Sequence, residues 1–549
     1  MNRAQVLAPG HACIMYRFHN ITGNEGLLLS KQRLNRKIAW CLCMALTFSL
    51  LAACSGNSSG GSTGSTNAGG GTKQEASGGS DNASKEKEQE PLVLSLMFNF
   101  DGVEFPAEGN EVQRRIEEIT NTKLKIQQLP GSAFEEKLPV LIASGELPDA
   151  IPIPRRHQKL PYVVNAIESD MFWEIGPYLE QFPNLSKINP LIYDNIAYEG
   201  KVYGIPRVRP LARRAFQYRE DWAEKLKLQE PKTIDDLYAM LKAFTHDDPD
   251  GNGKQDTYGL TSKEVGYWFA PFFGAPNNWK VEDGKFIKDV ETEEYLNALK
   301  FEKKLYEEKL MNRDFAVIDR PEWTGAIEQG KAGVRIDVTG SAPGLEEGVQ
   351  ANNPDGKINF FSILEGDHGK RVFMEGGHNG FYLIPKSSVK TEEHLLRVLK
   401  FFDDLAGEEG ANLLQWGIEG VHYKLVDGKP EYIDLDKYGK EVGAYSAPLS
   451  TLPPVDIALQ GDKTRLQQRE IDVIAENDQH LVADPSLPLL SETFAERGAQ
   501  LQTMLEDANV KFVMGGSEEE WRNTVKEWRT RGGGEIAKEY EEEYAKLGK

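Results

Sequence analysis

Oxygen-bearing side chains recur at alternate positions in Asp248-Pro249-Asp250-Gly251-Asn252-Gly253-Lys254-Gln255-Asp256. That spacing, with glycine in the sixth place for a sharp turn, matches the first nine places of an EF-hand-type calcium loop. Asp248, Asp250, Asn252 and Asp256 would supply side-chain oxygens, Lys254 its carbonyl, and Thr257 a sixth oxygen. The twelfth place is Gly259 rather than a bidentate glutamate. A structural Ca2+ site is therefore expected, binding weakly, with a dissociation constant of roughly 10⁻⁴–10⁻³ M. The alternative is a polar Asp/Gly/Asn turn without metal.

Five arginines fall close together, Arg207, Arg209, Arg213, Arg214 and Arg219, in a chain of net charge −21. Guanidinium forks suit carboxylates, sulfates and vicinal hydroxyls. Internal pairing is the alternative for most of the five; Arg207 and Arg213 are the two expected to face a cleft. Aromatic residues also fall in loops rather than on helix stripes: Trp268 in Tyr267-Trp268-Phe269, Trp279, Trp323, and Trp416 in Gln415-Trp416-Gly417-Ile418-Glu419-Gly420-Val421-His422-Tyr423. A flat ring can cover the apolar face of a sugar while neighbouring polar groups meet its hydroxyls. The candidate ligand contacts are thus Trp268, Trp416, Trp323, Arg207, Arg213, Glu419, His422 and Asn379. Any one tryptophan has core packing as its alternative, and Trp222 is expected in the core.

Nothing selects a catalytic group. Gly60 to Gly64 matches Gly-x-Ser-x-Gly, as does the overlapping Gly56 to Gly60, and both lie in a low-complexity tract. There is no His-Glu-x-x-His and no phosphate loop.

The elements that must hold these residues follow from the pattern. Pro91–Phe98 reads as a buried strand, Glu111–Thr120 as a helix, Leu124–Ile126 as a strand, Ala133–Ser144 as a helix and Ala150–Ile153 as a strand. Strand and helix alternating at this spacing indicate α/β with a mostly parallel sheet. After Gly200-Lys201-Val202-Tyr203-Gly204-Ile205-Pro206 longer helices are expected at Thr233–Phe244, Glu291–Lys309, Thr391–Leu405, Gly410–Trp416 and a charged pair within Glu518–Lys549, whose charges read as solvated faces. Phe381–Pro385 is a lone apolar strand among them, a second crossing between lobes. About 460 ordered residues exceed one core's usual size, so two lobes are expected.

All four cysteines lie early: Cys13, Cys41, Cys43 and Cys54. Lys31, Arg33, Arg36 and Lys37, then the apolar run Ile38–Leu50 and Leu51-Ala52-Ala53-Cys54, form a secretory signal too short to span a bilayer. Residues 1–53 are read as this signal, its first thirty residues an upstream extension from a misassigned start. A cysteine directly after the cut resembles a bacterial lipoprotein signal, which makes Cys54 the acylated first residue of the mature chain. Residues 54–90 are Gly/Ser-rich, too poor in apolar groups to fold, and reach about 30–35 Å as a tether. The acidic balance argues against nucleic acid and against electrostatic binding to anionic lipid.

In order along the chain, Ser144-Gly145-Glu146-Leu147-Pro148-Asp149, Gly200 to Pro206, Tyr218-Arg219-Glu220-Asp221-Trp222, Asp248–Asp256, Trp416–His422 and Lys511-Phe512-Val513-Met514-Gly515-Gly516 resemble the extracellular solute-binding lipoproteins of ABC importers. The nearer resemblance is to the large carbohydrate-associated subgroup of family 1 in Gram-positive bacteria, over about residues 91–549. Thr257 departs from the acid that calcium-binding relatives often carry, and Met514-Gly515 interrupts a usual Ile-Thr-Gly. The resemblance implies a two-lobed, periplasmic-binding-protein-like (type II) α/β fold with an interlobe hinge and ligand cleft. Lobe 1 would take about residues 91–206 and 381–445, lobe 2 about 207–380 and 446–549. Loops after Phe98 and Ile151, near Arg207 and around Trp268 and Trp416 would line the cleft. The implied function is to capture a carbohydrate, an oligosaccharide by expectation, as a lipid-anchored monomer on the outer face of the cell membrane, and to deliver it to an ABC permease. A secreted glycosidase or lyase with two facing carboxylates stays open as an alternative, as do a peptide receptor and a wall adhesin or signalling receptor on the same fold.

Overall fold

A computed structural model describes residues 90–100, 104–453 and 456–548. The predicted signal, Cys54 and the tether up to residue 89 lie outside the described residues. Strand Leu92–Asn99 runs parallel to strand Thr122–Leu129. Helix Glu111–Thr120 joins them, and its ends explain its length. The Asn110 side chain accepts from the Gln113 N–H at 3.0 Å, and Asn121 closes the helix in the left-handed region, a conformation asparagine tolerates better than most residues. Val112 and Ile116, four residues apart on one face, are buried.

Leu96 bridges Ala150 in the parallel sense, which brings strand Ile151–Ile153 alongside. Strand His378–Leu383 then lies antiparallel between Ile151–Ile153 and Gly204–Val208. The expectation of a mostly parallel sheet is thus corrected to a mixed one. The physical reason is the path of the chain: the 378–383 strand returns from the second group of elements and enters the sheet from the opposite end. The two apolar stretches expected to cross between lobes are hydrogen-bonded neighbours, Tyr382 opposite Ile205 and Leu383 opposite Gly204. Gly204 is required there, because a Cβ would stand 2.5 Å from the Phe381 ring.

The second sheet orders its strands Ile358–Phe361, Arg214–Arg219, Ala332–Val338 and Tyr258–Thr261, of which only the last two run parallel. Around it pack helices Ile234–His246 and Glu293–Glu307 and the C-terminal helices Glu492–Val513, Glu518–Trp528 and Gly534–Lys546. The last two are more than solvated faces: Trp521, Val525, Trp528, Ile536, Ala537 and Tyr540 are buried. Their acidic runs occupy the outer side of amphipathic helices whose inner side joins the core.

The apolar interior is divided. One core gathers Leu94, Phe98, Ile153, Ile205, Phe381, Leu399 and Tyr445 around the first sheet. Another gathers Phe216, Leu241, Leu260, Leu299, Trp521 and Tyr540 around the second. These are the two lobes, and the first core also takes Val208, Leu211 and Met374 from the crossing segments. Among the described residues no helix is long and apolar enough to cross a membrane.

Candidate ligand cleft

Strands Leu92–Asn99, Ile151–Ile153 and Gly204–Val208 point the same way, so their carboxyl ends share one edge of the first sheet. The antiparallel strand His378–Leu383 begins at that edge. Asn99, Arg155, Arg207 and Asn379 consequently converge, and with Glu135 and Arg156 they line a cavity of about 860 Å3. Open α/β sheets hold ligands at such an edge because loops leaving several strands meet there.

Arg207 is only 8% exposed. One of its Nη groups donates to the Ala447 carbonyl at 2.8 Å, while its buried Nε–H has no partner. Arg209 donates to the Val208 carbonyl at 2.7 Å. Burial, reinforced by the charges of Arg207 and Arg213, brings its guanidinium down to about 10. Arg155 approaches Glu375 at 3.8 Å, and Arg156 is ion-paired with Glu135. His157 follows, 3.4 Å from Glu135 and 2.6 Å from the Tyr162 hydroxyl. Burial is the largest influence on its imidazole and holds the pKa below the ordinary value, against the pull of Glu135.

Arg155 also lines a second cavity of about 650 Å3, with Glu375 beside it and Arg214, Lys263, Glu264 and Trp268 from the second lobe. Arg214 lies 5.0 Å from the Trp268 ring and 3.3 Å from Asp337. The Trp268 indole donates to Glu264 at 2.8 Å. Its loop is fixed from beneath, where the Gly266 N–H donates to buried Glu302 at 2.6 Å and the Tyr267 hydroxyl to Asn277 at 2.8 Å. A third cavity, about 640 Å3, has Arg209 and Arg213 at one side and Trp416 and Tyr432 at another. All three volumes are of the size that small-ligand sites occupy.

The candidates read from the sequence therefore divide. Arg207, Arg213, Asn379, Trp268 and Trp416 line these cavities. Arg219 does not: it forms a bidentate pair with Asp221 at 2.8 and 2.6 Å and stacks on Trp222. The expectation of loop aromatics is corrected for three of the four: Trp279 opens strand Trp279–Glu282, Trp416 ends helix Glu408–Trp416 and Trp323 lies within helix Arg320–Glu328. Trp323 is 1% exposed, donates to the Thr261 carbonyl at 3.0 Å and packs under Arg335, so its ring is core rather than a ligand platform. His422 is 0% exposed. Its Nδ1 accepts from the Ile418 N–H at 3.0 Å and its Nε2 lies 3.1 Å from Glu441; it braces the turn that follows Trp416. Glu419 is exposed on that turn and lines none of the three cavities.

In the Asp248–Asp256 loop the Asn252 amide donates to Asp250 at 2.6 Å and to Asp256 at 3.1 Å, and Asp248 accepts from the Gly253 N–H at 3.1 Å. The other Asp248 oxygen is buried without a partner. Lys254 enters through its backbone N–H, which donates to Asn252 at 2.7 Å. Thr257 turns away, its hydroxyl donating to the Phe244 carbonyl at 2.9 Å. Among the described residues no three His, Cys, Asp or Glu side chains assemble a metal cluster. The all-oxygen donor set and the orphaned Asp248 oxygen nevertheless fit a hard cation.

Arg155, Arg156 and Glu375 escaped the sequence reading. Arg155-Arg156-His157 is a basic triplet directly after a predicted strand in an acidic chain, and the rule that ligands gather at strand carboxyl ends would have singled it out.

Two cores, paired crossing strands and an arginine-lined edge between them define a two-lobed solute-binding protein. The chain belongs to the bacterial extracellular solute-binding proteins, whose family model matches residues 105–412; proteins of this kind bind solutes and are not enzymes. It is 36% identical over 480 residues to lipoprotein LipO of Bacillus subtilis (strain 168), covering 85% of this chain and 94% of that one. It is 38% identical over 441 residues to the polygalacturonan/rhamnogalacturonan-binding protein YtcQ of the same strain, covering 78% and 87%. Among solved structures, an EF-hand mutant of the Streptococcus pneumoniae ABC-transporter substrate-binding protein FusA in complex with fructo-nystose matches with a TM-score of 0.59 at 20% identity, over 83% of this chain and 99% of that one.

Proposed function

We propose that this protein captures a carboxylate-bearing oligosaccharide outside the cell and presents it to an ABC permease, tethered to the membrane through an acylated Cys54 and residues 55–90. The observation that carries the reading is the row of guanidiniums in an acidic chain. Arg207, Arg209 and Arg213 have no carboxylate within ion-pair distance among the described residues, and the Arg207 Nε–H is buried and unpaired. A buried donor without an acceptor costs stability unless a ligand supplies one. The similarity to a polygalacturonan/rhamnogalacturonan-binding protein supports the same class of ligand. Ligand entering between lobe 1 (about 91–206 and 381–445) and lobe 2 (about 207–380 and 446–549) touches both and shifts the population toward a closed form. The Asp248–Asp256 loop holds a structural Ca2+ away from the cleft, with Asp248, Asp250, Asn252 and Asp256 as its oxygen donors.

Isothermal titration calorimetry with oligogalacturonates and length-matched neutral oligosaccharides tests this. The acidic series should bind more tightly, and Arg207→Lys, which keeps the charge but loses the fork, should weaken it about 10- to 150-fold. Tighter binding of the neutral series, or an indifferent Arg207→Lys, would refute the proposal.

A further inference from the structure

Residues 481–490 run between the two cores: Leu487 and Leu490 pack against the first, Val482 and Leu489 with the second. Their opening strand, Leu481–Val482, lies parallel to Val372–Phe373 of the crossing chain. The second lobe holds this segment through consecutive asparagines. Buried Asn277, which accepts the Tyr267 hydroxyl, donates to the Met374 carbonyl at 2.8 Å and to the Val482 carbonyl at 2.9 Å. Asn278 donates to Asp484 at 3.0 Å, and Asp484 accepts the Ser486 N–H at 2.9 Å and its hydroxyl at 2.7 Å. The loop that carries Trp268 is therefore fastened to the 482–486 stretch.

From the first lobe a lysine reaches the same stretch. Lys159 stands between the short turn Arg155–His157 and helix Pro161–Glu168, whose Val163, Ala166 and Ile167 belong to the first core. Its ammonium donates to the Ser486 carbonyl at 2.6 Å and lies 5.5 Å from the centre of the Tyr540 ring, which belongs to the second core. Asp484 is the acid beside it, and its oxygens are engaged by Asn278 and Ser486. Ordering a long lysine side chain costs conformational entropy, and here that order is spent on a contact that joins the lobes. Lys159 lines none of the three cavities. Arg155, four residues earlier, lines two of them and shares the 650 Å3 cavity with Trp268. Both residues are thus tied to one segment, Trp268 through Tyr267 and Asn277, Arg155 through Lys159.

We propose that Lys159 is a positioning residue for ligand capture: it fastens the Arg155–His157 turn of the first lobe to the segment that anchors the Trp268 loop of the second, and so holds Arg155 where a ligand meets it. The inference rests on the acidic-oligosaccharide reading above and adds a residue that acts without touching the ligand. Freed of this clasp, the turn spends only part of its time in place, and the apparent affinity falls by that fraction.

Calorimetry with oligogalacturonate on the full chain, run as a double-mutant cycle, tests this. Lys159→Met keeps the apolar stem and loses the donor; it should weaken binding about tenfold, the loss expected of one hydrogen bond from a charged group. Lys159→Arg, which restores a charged donor, should recover most of that loss. Arg155→Ala should weaken binding by itself, and adding Lys159→Met to it should cost nothing further, because the lysine acts through the arginine. In the ligand-free protein, amide exchange across residues 155–160 should quicken in Lys159→Met and slow again in Lys159→Arg. If Lys159→Met does not fold, Lys159→Gln, shorter but still polar, takes its place in the cycle. Unchanged affinity in the lysine variant, an indifferent Arg155→Ala, or two losses that simply add overturns the proposal. Early melting with normal affinity below the melting temperature overturns it as well, since that is the mark of a lysine that only stabilises. If the wild type binds no oligogalacturonate, the proposed function fails and ligand-free exchange decides the clasp: unchanged exchange overturns it, and faster exchange reversed by arginine supports it. Oligogalacturonate binding that ignores Lys159→Met sinks the clasp alone.

Discussion

Glu302 should set how the stability of the second lobe responds to pH. It sits buried on helix Glu293–Glu307 and accepts the Gly266 N–H at 2.6 Å. Burial, with a smaller push from Glu264, raises its carboxyl from an ordinary 4.5 to about 8. Between those two values the unfolded chain has released the proton while the folded protein retains it. The unfolded state then binds fewer protons, so stability falls as pH rises, by up to about 1.4 kcal/mol per pH unit in mid-window and by at most about 5 kcal/mol across it. Below the ordinary glutamate range the penalty is absent. Glu302→Gln keeps the shape and an oxygen for the Gly266 N–H but has no proton to lose. Urea-unfolding free energies of both proteins, measured at intervals from about pH 5 to about 8, isolate this group because every other titration is shared. The variant should gain on the wild type steadily as pH rises. Parallel curves would refute the reasoning, and a variant that loses ground as pH rises would show that Glu302 is ionised and held by the Gly266 hydrogen bond. The result matters for the cleft, because Gly266 lies two residues before Trp268 on the loop that Glu302 supports.

Two further outcomes are expected. Trp323→Ala should cost about 3–5 kcal/mol of stability through loss of core packing while leaving the ligand affinity of the folded protein unchanged; a large loss of affinity with normal melting would return Trp323 to the binding surface. For the Asp248–Asp256 loop, calcium added after chelation, at about tenfold its dissociation constant, should stabilise the protein by about 1.4 kcal/mol, and Asp250→Ala should cancel the effect. A melting temperature indifferent to calcium would leave the loop as a polar turn.

Local signals carried much of the architecture. Helix Glu111–Thr120 is legible because Asn110 supplies a cap and Val112 and Ile116 supply a buried face, and both are properties of a few adjacent residues. The same holds for Thr233 ahead of Ile234–His246, where the capping box with Asp236 is written in the sequence. The direction of strand 378–383 is not written there. It depends on where the chain comes from after passing through the second lobe, which periodicity over ten residues does not record. The C-terminal helices mislead for a related reason: a run of glutamates describes the solvent side, and the buried Trp521, Trp528 and Tyr540 become a core only when other helices cover them.

The candidate site shows the same division. The residue types were determined by the sequence alone: guanidiniums clustered in an acidic chain, aromatics beside polar groups, an oxygen-rich turn, a cysteine after a basic and then apolar run. Which of them meet was decided by the tertiary structure. Arg219 and Arg207 look alike in sequence, yet Arg219 has Asp221 two residues away and is satisfied within its own lobe, while Arg207, next to the last residue of its strand, has no carboxylate within ion-pair distance among the described residues. Trp323 and Trp268 are both aromatic residues beside polar ones, but one lies beneath a sheet and the other on a loop above it. Residue chemistry is a local property of the chain, whereas exposure and partnership depend on contacts between residues hundreds of positions apart, and only the folded chain sets those.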